Sequence, residues 1–257
     1  MAKSKETIGR TFIVVIALCL VCSIIVSGAA VGLKERQEAN AALAMQRSVL
    51  TAAGIEFTGN TAESIYAERV REYRLNLETQ ELVEAGEEAL AEAADVQDQG
   101  EVKRRLGRDE DIAGIRDLEQ RTMFYIAYEE DGETVKSYVL PVRGAGLWGM
   151  MYALLALESD GKTIAGLNFY EHNETAGLGG EIQNPRWINN FIGKQAVDDD
   201  GTIEIRVTKG ANPDQNEVDA LSGATITSNG VDRTFQFWLS DKAYGPFLTK
   251  LREGEIE

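Results

Sequence analysis

The chain has 257 residues, room for one domain of ordinary size with appendages. Its 42 acidic residues against 26 basic ones give a formal net charge of −16. That balance argues against non-specific nucleic-acid binding, which needs cationic surface against phosphates, and it requires any membrane attachment to be hydrophobic, since anionic lipid would repel the chain.

Lys3, Lys5 and Arg10 lie within the first ten residues, and a charge-free stretch follows from Thr11 to Leu33. As a helix at ~1.5 Å per residue it reaches roughly 34 Å, enough for a hydrocarbon core of ~30 Å. Ser27-Gly28-Ala29 would suit the cleavage site of a signal peptide. The apolar stretch is longer than a usual signal core, however, and Lys34-Glu35-Arg36 leads into more helix, so residues 11–33 are expected to remain as a transmembrane helix. The basic flank places residues 1–10 in the cytoplasm and the large C-terminal part across a bacterial inner membrane, on the periplasmic side; Lys34 and Arg36 oppose that orientation without reversing it. Cys19 and Cys22, the only cysteines, fall inside the span, so they give the exported part no disulfide and are expected to pack against neighbouring helices.

Residues 34–54 continue helical as a neck. Ala39, Ala42, Leu43, Gln46, Val49, Leu50 and Ala53 recur at spacings of three and four, and Gly54 is a C-cap candidate. This weak face is expected to pack on the head domain or on a partner helix. Residues 55–120 are expected to form an acidic, partly helical region. From Glu81 to Glu101 carboxylates recur without a basic residue, a composition that suits a solvated helix or excursion and shows no ligand spacing for a metal.

The compact core is expected to start near Arg121 and occupy residues 121–257. Thr122–Tyr128 reads as a strand, Glu130-Asp131-Gly132 as a hairpin turn and Val135–Val142 as the second strand. The apolar run Met150–Leu157 ends at Asp160-Gly161, and Thr163–Tyr170 is a further strand. Asn184 caps a short helix with Pro185 at its first position, running through Phe191. Ile203–Val207 alternates as a strand, and a helix begins at Thr225 with Phe235, Trp238 and Leu239 on one side. Strands and helices mixed without a βαβ rhythm predict an α+β class.

Three segments could carry chemistry. Gly144-Ala145-Gly146-Leu147-Trp148-Gly149 fits G-x-G-x-x-G after a strand, but the bulk of Trp148 and the lack of a suitably spaced acidic residue argue against a dinucleotide loop. Between His172 and Glu181, glycines 177, 179 and 180 suggest close backbone approach to something flat or phosphorylated, or simply a flexible loop. His172 is the only histidine and reads as a solvent-facing loop residue, and Lys209 as a solvated residue at a strand end; one His and no available Cys make a zinc or haem site in the head improbable. The third segment is Asp219-Ala220-Leu221-Ser222-Gly223-Ala224-Thr225, an acidic residue, a small turn and a threonine opening a helix, where free N–H groups and the dipole favour a phosphate. By composition alone, Ser222 or Thr225 could merely cap that helix.

Val218–Val231 resembles the flavinylation motif of the FMN-binding domain family, in which the last Thr or Ser of the motif carries FMN through a phosphoester. The likeness extends to Gly-Leu-Trp-Gly, to the Glu174-Thr175 and Gly177-Leu178-Gly179 signature, and to Tyr244–Leu248; Ala176 stands where the family usually has Pro. Within that family nearly the whole chain resembles the branch that forms the C subunit of Na+-translocating NADH:quinone reductases, the acidic stretch of about residues 60–115 carrying little of the likeness. The resemblance implies one covalent FMN per chain, on Thr225, attached by a separate Mg2+-dependent flavin transferase that takes it from FAD and reads Asp219. It implies flavin contacts from Ser222, Gly223, Ala224, Thr227, Glu174, Thr175, Gly177, Leu178 and Gly179, with Trp148 near the ring, and no metal site. It further implies an electron carrier in a membrane complex of six subunits that oxidises NADH, reduces ubiquinone and pumps Na+. In that complex the chain would take an electron from an iron–sulfur centre and pass it to the flavin of the B subunit, with the B, D and E subunits as nearest partners and no complete active site of its own. Two rival expectations remain: the flavinylated G subunit of the ion-translocating ferredoxin:NAD+ reductase, and a cofactor-free, membrane-anchored scaffold.

Overall fold

Apolar residues along the central strands alternate between two buried faces, and that alternation organises the head. In β7 (Met150–Glu158), Met151, Ala153, Leu155 and Leu157 belong to one buried cluster, while Leu154 and Ala156 belong to another. A strand covered on both sides reads as a continuous apolar run, and the sequence of β7 is such a run. The computed structural model describes residues 8–59, 61–85 and 103–255.

The chain divides into two compact units, residues 1–44 and 45–257. The helix α1 (Ile8–Ala52) contains the one described segment long and apolar enough to cross a membrane. Its side chains from Phe12 to Leu33 are exposed, Phe12 at 64% and Val31 at 76%, as an element solvated by lipid requires. Lys3 and Lys5, which set the expected orientation, lie outside the described residues.

In the second unit, Gly54 ends α1 with a φ of 64°, and Val49, Leu50, Ala52 and Ala53 are buried. The C-terminal part of the neck's weak face therefore packs on the head, while Ala39 and Ala42 stay exposed. After α2 (Ala62–Arg69), a six-stranded antiparallel sheet runs in the order β2-β1-β5-β6-β7-β8. Its strands are β1 (Val70–Asn76), β2 (Leu82–Glu84), β5 (Arg121–Tyr128), β6 (Val135–Ala145), β7 and β8 (Ile164–Glu171). The pairs β3 (Lys103–Arg105) with β4 (Asp117–Glu119), antiparallel, and β9 (Arg206–Thr208) with β10 (Glu217–Asp219), parallel, stand apart from it. The helices α3 (Pro185–Ile188), α4 (Thr225–Trp238) and α5 (Gly245–Arg252) complete an α+β domain.

One sheet face carries Leu140, Val142 and Leu155 and shares its core with Val231, Phe235 and Trp238 of α4 and Phe247 of α5. The other carries Tyr125, Val139 and Leu154 and shares its core with the end of α1 and Tyr66 of α2. Gly166 of β8 lets α1 approach, since a Cβ there would lie 2.1 Å from the carbonyl oxygen of Ala52.

The expected strands 122–128, 135–142 and 163–170 and the apolar run 150–157 all form, with bounds shifted by up to three residues. Four expectations need correction. The sheet begins upstream of Arg121, because all of β1 pairs with β5. The strand expected over 203–207 is Arg206–Thr208, since Ile203 bridges to Val197 instead. The helix after Asn184 stops at Ile188 rather than Phe191. In the acidic stretch, Leu82–Glu84 is strand rather than helix, and residues 86–101 lie outside the described residues.

Candidate functional site

The loop between β10 and α4 carries the motif that ends at Thr225. Two contacts fix its entry: the indole N–H of Trp187 donates to the carbonyl of Asp219 at 2.8 Å, and the Asp219 carboxylate accepts the N–H of Gly210 at 2.8 Å. The turn itself passes through Gly223 at a φ of 76°, a conformation that favours glycine. A Cβ at Gly223 would also reach Leu178 at 3.4 Å, so this turn and the Gly177-Leu178-Gly179 loop are neighbours.

Thr225 is the first residue of α4 and is exposed. Buried Ala224 occupies the N-cap position and supplies no side-chain cap. Among the described residues the Thr225 hydroxyl has no hydrogen-bond partner, and neither do the N–H groups of Thr225, Ile226 and Thr227. The capping role left open for Ser222 and Thr225 is therefore not used; Ser228 instead turns back, its hydroxyl accepting the N–H of Leu221 at 3.0 Å. The first turn of α4 has no acidic residue. An exposed nucleophilic hydroxyl thus sits beside three open donors at the positive end of a helix dipole, a setting suited to a phosphate.

Four large apolar side chains are exposed on the segments that meet the start of α4: Leu147 at 48%, Trp148 at 66%, Leu178 at 48% and Ile226 at 53%. Leu147 and Trp148 sit between β6 and β7, Leu178 follows β8, and Ile226 is the second residue of α4. Folding leaves these side chains uncovered, although core residues of the same elements are buried, so they offer apolar surface to an occupant.

Glu174 joins the three segments. It is buried, and Oε1 accepts the main-chain N–H of Trp148 at 2.8 Å while Oε2 accepts the Thr227 hydroxyl. Thr227 is buried as well. Glycines leave the room for this carboxylate: a Cβ at Gly146 would lie 2.6 Å from Oε1, and one at Gly179 would lie 2.6 Å from Oε2. His172 is half-buried rather than solvent-facing, and its Nδ1 accepts the N–H of Glu174 at 3.1 Å. Ala176, in place of the family's usual Pro, does not leave the loop loose, because the carbonyl of Thr175 accepts the N–H groups of Leu178 and Gly180. Ser222, Thr175 and Gly177 are exposed on the same loops, and Lys209 is exposed beside Gly210.

The G-x-G-x-x-G resemblance at 144–149 is resolved by topology. Gly146 donates its N–H to the carbonyl of Gly149 at 2.8 Å and the chain turns back into antiparallel β7, with no helix for a pyrophosphate. Two glycines instead serve close packing between β6 and α4: a Cβ at Gly144 would collide with the Thr234 hydroxyl, and one at Gly230 of α4 with the carbonyl of Ala145 at 2.4 Å. Sequence reasoning missed Trp187, Gly230 and the partnership of Glu174 with Thr227. The Asn184-Pro185 cap did locate the helix that carries Trp187, but nothing in the spacing tied it to Asp219. Among the described residues no cluster of His, Cys, Asp and Glu could hold a metal.

Comparison with known proteins places the chain in a family. Residues 146–240 match the FMN-binding domain family. Over full length the chain is 44% identical to the C subunit of the Na(+)-translocating NADH-quinone reductase of Vibrio alginolyticus, covering 100% of both chains. It is 42% identical to the corresponding C subunit of Yersinia pestis, over 99% of this chain and 97% of that one. The crystal structure of Shewanella oneidensis NqrC superposes with a TM-score of 0.71 at 32% identity, covering 81% of this chain and 96% of that one. The crystal structure of the same subunit from Parabacteroides distasonis gives a TM-score of 0.63 at 28% identity, covering 84% and 97%.

Proposed function

The chain belongs to the C-subunit family of the Na(+)-translocating NADH-quinone reductases and carries an FMN-binding domain, and on that footing we propose that Thr225 holds its FMN covalently. The observation that carries this reading is the Thr225 hydroxyl itself, exposed and, among the described residues, without a partner beside three open N–H donors, with exposed Leu147, Trp148, Leu178 and Ile226 on the adjoining segments. The residues present fit both ends of such a cofactor, a phosphate at the helix start and a flat apolar ring on these side chains.

Attachment is a phosphoryl exchange without redox change. The Thr225 hydroxyl would be the group esterified: with a separate transferase taking up its proton, its oxygen would bond to the FMN phosphorus of FAD as the bond to AMP broke. Asp219, exposed and fixed six residues before Thr225, is the residue the transferase reads, and Ser222, Gly223 and Ala224 keep bulk away from its approach. Once bound, FMN supplies one-electron redox chemistry. The chain's own part would be to keep the cofactor from dissociating on the far side of a membrane, with Trp148, Leu178, Thr175 and Gly177 as the residues that would hold its ring.

In this reading α1 anchors the chain through residues 11–33 in the bacterial inner membrane, with residues 1–10 cytoplasmic, residues 34–54 as neck and the head on the periplasmic side. The head relays electrons from an iron–sulfur centre of its membrane partners to the flavin of the B subunit. The full-length match to C-subunit relatives favours this over a G subunit of the ferredoxin:NAD+ reductase, and the open donor set at Thr225 favours it over a cofactor-free scaffold. Intact mass of the full chain, expressed with the transferase, tests the proposal: the wild type gains one FMN phosphoryl increment and Thr225→Ala gains none. An unmodified wild type would end the reading.

A further inference from the structure

Glu174 lies on a loop whose glycines suggested a flavin contact, yet its carboxylate points into the protein, with the residue 8% exposed. Among the described residues its oxygens meet no cation; their partners are two neutral donors, the Trp148 N–H and the hydroxyl of Thr227, itself 1% exposed. Burying a carboxylate is costly unless hydrogen bonds and dipoles compensate, and the start of α4 supplies a favourable dipole. The neighbours are cut to admit this charge. Gly146 and Gly179 each leave a space that a single methyl group would close against one carboxylate oxygen, and a Cβ at Gly179 would also lie 2.7 Å from the Thr227 hydroxyl. The two bonds link segments far apart in sequence: residue 148 before β7, residue 174 after β8, and residue 227 in the first turn of α4. Three of the four exposed apolar residues around Thr225 belong to the two segments so linked to Glu174: Leu147 and Trp148 on one, Ile226 on the other.

We infer that Glu174 is a positioning residue, acting through Trp148 and Thr227. It locks the Leu147-Trp148 loop against the first turn of α4, so that the apolar rim around Thr225 is set before any cofactor arrives. The inference rests on the proposed attachment at Thr225 only for what the rim receives; the lock itself belongs to the polypeptide.

Amide hydrogen exchange on the full chain in detergent, in a Thr225→Ala background where no ester can form, reads the lock directly. The Trp148 amide should be protected. Glu174→Ala should speed exchange over residues 147–149 by about tenfold or more, what a hydrogen bond to a charged group is worth, while β7 and β8 keep their protection. Glu174→Gln retains an acceptor for the Trp148 N–H and should restore most of the protection, a rescue that mere loss of folding would not give. Thr227→Val, which breaks the other bond at nearly constant volume, should loosen residues 225–228 and serves where Glu174→Ala does not fold. Unchanged exchange at residues 147–149 in Glu174→Ala, or Glu174→Gln exchanging as fast as Ala, would overturn the inference. A wild-type chain that carries no FMN would instead sink the attachment at Thr225 and leave the exchange result standing.

Discussion

Trp187 holds Asp219 by a single hydrogen bond, indole N–H to main-chain oxygen at 2.8 Å. The bond ties the short helix after Asn184 to the strand that opens the Thr225 loop, so a residue 38 positions upstream of Thr225 sets where that loop starts. Trp187 also packs edge-on against Phe191, with ring centroids 4.9 Å apart.

Trp187→Phe keeps the aromatic packing and deletes the bond. The expected loss is about 1 kcal/mol, read from the urea midpoint. With limiting transferase, the flavinylated fraction seen by in-gel fluorescence should fall as well. An unchanged midpoint would mean that Asp219 is held without Trp187.

Substitution of the glycines around Glu174 should separate crowding from backbone strain. Gly146→Ala puts a methyl group 2.6 Å from the carboxylate and should cost about 1–3 kcal/mol. Gly177→Ala meets nothing within 4 Å but sits at a φ of 74°, and should cost about 1–2 kcal/mol from the backbone alone. Gly107→Ala, open in both respects, should stay within about 0.5 kcal/mol of wild type. Equal midpoints for all three would refute the crowding argument.

Acid should weaken the β5–β6 hairpin in a defined window. The Asp131 carboxylate accepts the Thr134 hydroxyl and the N–H groups of Thr134 and Glu133, and these bonds pull its pKa from 3.8 to about 2. A depressed folded pKa means that the stabilisation is present above the unfolded value and is lost as pH falls through the folded one. Wild type should therefore exceed Asp131→Asn in stability above pH ~4 and converge on it as pH approaches ~2. Paired urea titrations between those limits check the sign; a gap that widens toward low pH would contradict it.

Removal of residues 1–33 should convert a membrane protein into one that stays in solution, since the exposed apolar run from Phe12 to Leu33 goes with them. Carbonate washing of membranes is the measurement: the full chain stays with the pellet and residues 34–257 appear in the supernatant. A full chain released by carbonate would exclude α1 as a spanning helix.

What the sequence revealed follows from which signals are local. Strands β5 to β8 were legible because each is apolar over most of its length and is punctuated by turns such as Glu130-Asp131-Gly132 and Asp160-Gly161. The start of α4 at Thr225 was legible from its small turn residues. β1 was not, because Arg71, Glu72, Arg74 and Asn76 give it a polar text, and it is a strand only by pairing with β5 on one side and β2 on the other. In the site, the glycine loops and the threonine stood out, but the Glu174–Thr227 bond spans 53 residues, and neither residue differs locally from an exposed loop or cap residue. Tertiary packing alone makes them partners, and no window of sequence contains both.

The four bare side chains around Thr225 have a practical consequence for anyone producing this protein. If FMN is attached at Thr225 as proposed, a host that lacks the modifying enzyme would release molecules whose Trp148, Leu147, Leu178 and Ile226 stay wetted, each ready to stick to the next copy. Poor yield or clumping from such a strain would then report an empty seat rather than a misfolded head.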